Sequence, residues 1–201
     1  MTYPRMSPLH MQHAAHAAGD DGTNLSAVAL ADLSHLPKCG LKGPDAMQWL
    51  RDHDIEPPAE ANRWLPLRSG GVIARLGRSE FFIEDGEGGS VVENVRGALG
   101  NGASGVYPVI RQDAGIALVG PRVNELLLQT CNVNFAALDT GARVAVMTQM
   151  IGVSVLAIRV ADEPQPRYRI WCDPTFAPYF WETLAEIAGE LGGGVVDAAT
   201  S

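Results

Sequence analysis

Three histidines near the start of the sequence have a residue type and a spacing that could support metal binding. His10, His13 and His16 follow one another at intervals of three residues. On a helix the outer two would be separated by about 600° of rotation, so the three imidazoles cannot reach one ion from one face. The pattern favours a solvated polar arm, and the sequence predicts no metal site.

Ser34, His35 and Cys172 have side chains that could supply a nucleophile or its base. Ser34 and His35 are adjacent, so they do not face each other on a strand, and no Gly-x-Ser-x-Gly turn surrounds the serine. A helix start is the better interpretation of this pair. Cys172 has only Arg169 as a cation nearby in sequence, and we predict a buried core thiol because little else would lower its pKa.

Composition restricts the class of protein to which such residues could belong. The chain has 201 residues, of which 46% are hydrophobic, enough to bury a core. Its formal net charge of −8 argues against nucleic acid and anionic membranes as partners, since both require clustered Lys and Arg. No apolar run approaches the roughly 20 residues that cross a bilayer, and no secretory signal pattern is evident, so we expect a cytoplasmic protein.

The elements that must position any site are predicted from a stretch that occurs twice. CGLKGPDAMQWL at 39–50 is matched by IALVGPRVNELL at 116–127, an offset of 77 residues. In each, a short strand ends at a Gly-Pro turn, and the proline lies where a helix start needs no N–H. Asp45 suits the positive end of the first helix, whereas Arg122 occupies the equivalent place in the second.

The same order of elements is predicted after each turn. The first turn is followed by a helix that buries Met47, Trp49 and Leu50, a hairpin of strands 72–76 and 80–84, and a helix at 91–99. The second is followed by a helix at 123–131, strands at 143–150, 152–160 and 167–172, and a helix at 180–191 that ends at three glycines. Chance recurrence of a common turn is the alternative, but the matching flanks favour duplication.

Domain organisation follows from this pattern. Residues 1–28 are polar and aperiodic, and we predict a flexible N-terminal arm. Residues 29–201 are predicted to form a unit of two pseudo-repeats, at about 29–103 and 104–195. The fold class expected is α/β (α+β), with a duplicated β-α-β-β-α unit.

Several segments resemble a known family. Residues 31–38, ADLSHLPK, with the turn Gly43-Pro44-Asp45-Ala46 and the Gly70-Gly71 strand, resemble the folate-binding domain of the glycine-cleavage T-protein family. Residues 111–121, 147–154 and 166–173 resemble the γ subunit of heterotetrameric sarcosine oxidases and the corresponding subunit of N-methylglutamate dehydrogenases. The resemblance covers about residues 30–193 and implies a duplicated folate-binding-domain fold.

The sequence departs from the catalytic members of this family at the place where an acid is expected. Their pattern has a pair of aspartates soon after Gly-Gly, whereas Gly70-Gly71 is followed here by Val72, Ile73, Ala74 and Arg75. An apolar side chain can neither accept nor donate a proton. We therefore predict no catalytic residue on this chain and no folate catalysis, while simple folate binding stays open.

An interface with other chains is the site we predict instead. An aromatic cluster near the C-terminus, which includes Phe180 and Trp181, either completes the core or anchors a partner. Two arginines flank predicted strands and could bind carboxylates of another chain. The predicted interface residues are Arg111, Arg167, Tyr168, Trp171 and Tyr179.

The resemblance implies a role within an assembly. It suggests a γ-type accessory subunit of a flavin-dependent complex that oxidatively demethylates an N-methyl amino acid. FAD, FMN, NAD and tetrahydrofolate would then lie on other subunits, and this chain would bind no cofactor. The alternative is a free-standing folate-dependent aminomethyltransferase-like protein.

Overall fold

The computed structural model describes residues 7–9, 27–68, 70–161 and 165–197. Its described residues form two compact units. We call residues 36–112 and 142–145 the central unit, and the described residues within 1–35, 113–141 and 146–201 the terminal unit. Within the described ranges, no helix is long and apolar enough to span a membrane.

The described chain contains both strands and helices, with runs of two or three strands between successive helices. In order, the strands are β1 (Ala29–Asp32), β2 (Lys38–Lys42), β3 (Arg63–Pro66), β4 (Val72–Arg75), β5 (Glu80–Glu84), β6 (Tyr107–Val109), β7 (Ala114–Val119), β8 (Ala145–Met150), β9 (Val153–Ala161), β10 (Arg167–Cys172) and β11 (Gly194–Val195). The α-helices are α1 (Ala46–Asp52), α2 (Val91–Gly100), α3 (Val123–Thr130) and α4 (Ala177–Glu190). A 3₁₀ turn spans Phe135–Ala137.

The central unit is built on a five-stranded antiparallel sheet with the order β3-β4-β5-β2-β6. β4 and β5 form the predicted hairpin. Val92, Val95 and Leu99 recur at helical spacing on α2 and are buried together with Leu50 of α1. Met47 and Trp49, which we expected to be buried, lie half-buried at the margin of this core.

The terminal unit is built on a six-stranded sheet with the order β11-β1-β7-β10-β9-β8. β1 is antiparallel to β7 and parallel to β11. The apolar face of α4, which includes Phe180, Trp181 and Leu184, is fully buried in the core of this unit. Leu9 is fully buried there too. The flexible arm at 1–28 stays a prediction, because most of those residues lie outside the described ranges.

In two places, strands that are consecutive in the chain belong to different sheets. β1 precedes β2 in the chain but pairs with β7, and β6 precedes β7 but pairs with β2. β1 is therefore a strand of the six-stranded sheet that leads into the five-stranded sheet, and β6 is a strand of the five-stranded sheet that leads into the six-stranded sheet. The boundaries of the two compact units consequently differ from those of the predicted pseudo-repeats at 29–103 and 104–195. The pseudo-repeats concern duplication of the sequence and stay a prediction.

The expectation that Ser34 and His35 begin a helix is wrong. Both residues lie in the connection after β1. The Ser34 N–H donates to Asp32 Oδ1 at 2.8 Å, and the Ser34 hydroxyl accepts the Gly115 N–H at 3.1 Å. The serine thus ties the end of β1 to β7, because a short hydroxyl side chain can satisfy backbone groups at a strand end as readily as at a helix start.

Candidate functional site

β4 is the strand on which the resemblance places the catalytic acids, and it contains no proton-transfer group. Val72, Ile73 and Ala74 are buried. Arg75 is committed to the surrounding backbone, where its guanidinium donates to the carbonyls of Gly77, Arg78 and Ala59 and lies 5.9 Å from the centre of the Phe81 ring. This strand therefore stabilises the hairpin and cannot supply general acid or base catalysis.

Two buried carboxylates lie on the neighbouring strand, and both have structural partners. Glu84 is directly opposite Val72. Its carboxylate is 3.0 Å from the Lys38 ammonium, and both side chains are 0% exposed. Lys38 also donates to the Leu36 carbonyl at 2.9 Å. The pair is a buried cross-strand salt bridge between β2 and β5, and neither charge is presented to solvent.

Asp85 follows Glu84 and organises the start of α2. Its carboxylate accepts the Val91 N–H at 3.2 Å and the Val92 N–H at 2.9 Å. These amides belong to the first helical turn, which has no intrahelical acceptors for them. Sequence reasoning missed the structural role of Glu84 and Asp85. The available signal for the salt bridge was a Lys directly before the predicted strand at 39–42 and a Glu at the end of the predicted strand at 80–84.

Two cavities open within the central unit. One, of about 440 Å³, is lined by Cys39, Arg96, Leu99, Val109, Ile110 and Arg111 among others. The other, of about 490 Å³, lies against the first Gly-Pro turn and is lined by Arg75 and Arg78 among others. Arginines in these positions could bind an anion, but a guanidinium cannot act as a base at neutral pH.

Two buried cysteines, Cys39 of the central unit and Cys172 of the terminal unit, have raised pKa values. Burial raises the pKa of the Cys39 thiol to about 12. The pKa of Cys172 is also raised to about 12, chiefly by burial and then by the charges of Asp113 and Asp173. Both thiols are therefore protonated at neutral pH, as expected for core cysteines.

Arg111 is the predicted interface residue that the structure places at a cavity. Its guanidinium donates to Glu80 at 2.8 Å and lies 5.8 Å from the centre of the Phe82 ring. Its side chain is 21% exposed, so part of the group faces outward beside the neighbouring Ile110, which is 86% exposed. Arg167, at the start of β10, is exposed as well.

The predicted aromatic cluster divides into core and surface. Tyr168 and Trp171 are 0% and 2% exposed, so neither ring is open to a partner, which corrects their placement on an interface. Tyr168 belongs to the core of the terminal unit, and Trp171 lies on the other face of the same strand. The Tyr168 hydroxyl donates to Asn124 Oδ1 at 2.6 Å, which satisfies this buried polar group. Tyr179 is 53% exposed. The side chains of Arg111, Arg167 and Tyr179 are thus the ones that a partner could contact.

Metal ligands form no group in the part of the chain that the structure describes. There, no three His, Cys, Asp or Glu side chains come together in a way that could hold an ion. His10, His13 and His16 lie outside the described residues.

Comparison with known proteins identifies the fold. No protein-family model and no curated protein matches this chain. Among solved structures, a chain of the heterotetrameric sarcosine oxidase from Corynebacterium sp. U-96, in complex with pyrrole 2-carboxylate, is similar over 96% of this chain and 98% of that one. The TM-score is 0.76 and the sequence identity is 21%.

A second solved structure is the glycine cleavage system aminomethyltransferase T from Bartonella henselae. It is similar over 97% of this chain with a TM-score of 0.65 and 15% sequence identity, and the match spans 59% of that protein's length. Both likenesses confirm the predicted fold class, a mixed α/β (α+β) fold with two sheets like that of the glycine-cleavage T-protein.

Proposed function

We propose that this chain is a γ-type accessory subunit of a flavin-dependent complex related to heterotetrameric sarcosine oxidase or N-methylglutamate dehydrogenase. The complex would oxidatively demethylate an N-methyl amino acid, with FAD, FMN, NAD and tetrahydrofolate bound by other subunits. This chain would contribute structure to the assembly and no catalytic group or cofactor. We place the complex in the cytoplasm.

The observation that carries the proposal is the chemistry of β4 in this fold. Val72, Ile73 and Ala74 fill the strand where acids are expected, and the nearby Glu84 is neutralised by Lys38. A T-protein-like fold without an available carboxylate at that strand has lost the group that would transfer a proton. The likeness to a chain of a heterotetrameric sarcosine oxidase over almost the whole of both chains supports a role as a subunit.

Purification of the chain at its native level of expression tests the proposal. We expect it to elute with larger polypeptides that carry bound flavin and oxidise sarcosine or N-methylglutamate. The chain expressed alone should be colourless and should show no turnover with either amine. Isolation of the native chain without any flavin-containing polypeptide would contradict the proposal.

A second candidate function is a folate-dependent aminomethyltransferase-like protein. The likeness to aminomethyltransferase T and the arginine-lined cavities, which could receive the carboxylates of a folate, favour this candidate. Titration of the isolated chain with tetrahydrofolate, followed by a one-carbon transfer assay, separates the two. Transfer by the isolated chain would support the second candidate against the first.

A further inference from the structure

Helix α4 exposes two large aromatic side chains that its core packing does not require. Phe176, at the N-cap of this helix, is 54% exposed and Tyr179 is 53% exposed. Residues three apart lie on the same helical face, so the two rings are neighbours. The opposite face of α4 already buries Phe180, Trp181 and Leu184. Exposed aromatics beside a complete core are typical of a protein-binding surface.

The turn between β8 and β9 lies beside these rings. The Tyr179 hydroxyl donates to the Ile151 carbonyl at 3.3 Å, and the Ile151 N–H donates to the Thr130 carbonyl at 2.8 Å. Helices α3 and α4 therefore both hold the turn. We call Phe176, Tyr179 and Ile151 the aromatic patch.

Ile151 adopts a backbone conformation that disfavours its side chain. Its φ is +44°, followed by +82° at Gly152, as in the two-residue hairpin turns that favour Asn or Gly. A β-branched residue is strained in this region. The strained turn is nonetheless fixed by hydrogen bonds from two helices, so the aromatic patch is preorganised and would lose little conformational freedom on binding.

The exposed face of α4 is acidic beyond the aromatic patch. Glu182, Glu186 and Glu190 are exposed and follow Tyr179 at intervals that keep them on one face. The helix sequence APYFWETLAEIAGE contains no Lys or Arg. A partner that covers this face must therefore offer apolar side chains opposite the aromatic patch and basic side chains opposite the glutamates.

We propose that the aromatic patch and the acidic face of α4 form the docking surface for a different polypeptide, one with an apolar centre bordered by Lys and Arg. This inference rests on the proposed function, because the partner is taken to be a flavin-containing subunit of the same complex. A second copy of this chain is disfavoured as the occupant. Two copies paired through this helix would gather the glutamates of both copies in one interface with no Lys or Arg of either helix to balance them, and like charges repel.

Binding measurements with matched variants test this surface. The probe is the flavin-containing polypeptide that co-purifies with the native chain, isolated and titrated with purified variants. We expect F176S/Y179S to weaken the Kd at least tenfold, because aromatic anchors dominate interface energies. L128S is the control, since Leu128 is 59% exposed on α3 of the same unit, and it should leave the Kd within twofold. Y179F keeps the ring and loses only the hydrogen bond to the Ile151 carbonyl, so it should weaken the Kd much less than F176S/Y179S does.

Charge reversal tests the acidic half of the surface. E186K/E190K should weaken binding about tenfold at low salt and by much less in 1 M salt, where exposed charges are screened beyond about 3 Å. Because all the substituted side chains are exposed, thermal unfolding of the variants should match the wild type. A folded F176S/Y179S variant that binds the flavin-containing polypeptide as tightly as L128S would overturn the docking surface and leave the proposed function standing.

Two other outcomes would overturn the inference, the first together with the proposed function and the second without it. If the native chain binds no flavin-containing polypeptide, both fail together. If sedimentation shows that the chain self-associates and that F176S/Y179S abolishes the association, the occupant is a second copy and the inference of a basic, different partner is overturned.

Discussion

The two Gly-Pro turns of this chain have the same backbone and different side-chain chemistry. Gly43 and Gly120 both have φ of +139°. The Gly43 N–H donates to the Ser79 carbonyl at 3.0 Å, and the Gly120 N–H donates to the Pro166 carbonyl at 3.2 Å. Ser79 and Pro166 each precede the strand that pairs with the strand before the turn. Each turn is thus fixed in its sheet in the same way.

The residue after each proline shows where the two turns differ. The N–H of Asp45 donates to the Gly105 carbonyl, and the N–H of Arg122 donates to the Ala27 carbonyl, at 3.2 and 3.0 Å. The two side chains differ in charge, and Arg122 makes its own contacts. Arg122 donates to Glu125 of α3 and, at 2.8 Å, to the Leu191 carbonyl beyond the end of α4. The cation that looked misplaced at a helix start therefore interacts with the negative end of another helix.

The sheets also differ in their side chains at the position five residues before each turn glycine. Lys38 is opposite Glu84 in the central unit, and at the equivalent register Gly115 is opposite Trp171 in the terminal unit. One sheet has a buried ion pair where the other has a glycine beneath a buried indole. The backbone geometry of the turns is the same in the two units, whereas the side chains that fill the interior differ.

The largest expected effect comes from breaking the ion pair that only the central unit has. K38M should reduce the free energy of unfolding by about 3–5 kcal/mol, because it leaves the Glu84 carboxylate buried without its cation. Urea denaturation measures the change. The double variant K38M/E84M removes both charges and should recover most of the loss. A cost for K38M below about 1 kcal/mol would show that water or another group compensates Glu84.

Substitution of the turn glycines tests their equivalence. A Cβ on Gly43 would lie 2.1 Å from the Gly105 carbonyl oxygen, and a Cβ on Gly120 would lie 2.3 Å from that of Ala27. G43A and G120A should therefore each cost about 2–3 kcal/mol in urea denaturation, from a backbone clash and an unfavourable φ. G77A is the control, since no atom lies within 4 Å of its Cβ position. Costs that differ by more than about 1 kcal/mol would argue against equivalence of the turns.

The Tyr168 hydroxyl is a difference between the two cores that a single substitution removes. The position equivalent to Tyr168 in the central unit is Phe81, by the register of β2 with β5 and of β7 with β10. Y168F removes the hydrogen bond to Asn124 and should cost about 1 kcal/mol. In an N124A background the same substitution should cost less, because the acceptor is already gone. An equal cost in both backgrounds would mean that the hydroxyl acts elsewhere.

The smallest expected effect is the loss of stability at low pH through the Arg122–Glu125 pair at the second turn. The hydrogen bond from Arg122 lowers the pKa of Glu125. A group with a lowered folded-state pKa stabilises the protein above its unfolded value of about 4.3, and this contribution is lost as the pH falls through the folded-state pKa. Between pH 7 and pH 3 the wild type should therefore lose slightly more stability than E125Q, by thermal unfolding. The difference should shrink in 1 M salt, and equal losses would contradict a role for this pair.

Prediction from the sequence succeeded where one local rule decides the structure. The Gly-Pro turns, the 80–84 hairpin strand and the apolar spacing of α2 were recognised because turn chemistry and periodicity act over a few residues. β3 and β6 were missed. Each is a short edge strand of three or four residues, with Pro66 or Pro108 in it, that forms through pairing with a distant partner.

The candidate site was predicted in part for the same reason. The missing acids after Gly71 are a matter of residue type, which the sequence states directly. The sequence does not state which side chains are exposed, so the buried and exposed members of the aromatic cluster could not be told apart in advance. Tyr168 packs into a core made by elements far apart in the chain and Trp171 is buried as well, whereas Tyr179, a few residues further on, is exposed.

The sequence by itself determined the two Gly-Pro turns with the strand and helix that flank each of them, and the absence of an acid from β4, because each depends on residue types close together in the chain. Only the tertiary structure decided which strand completes which sheet, that Lys38 neutralises Glu84, and which aromatic rings face solvent. Those outcomes depend on pairing between residues that are far apart in sequence, and local preferences do not encode them.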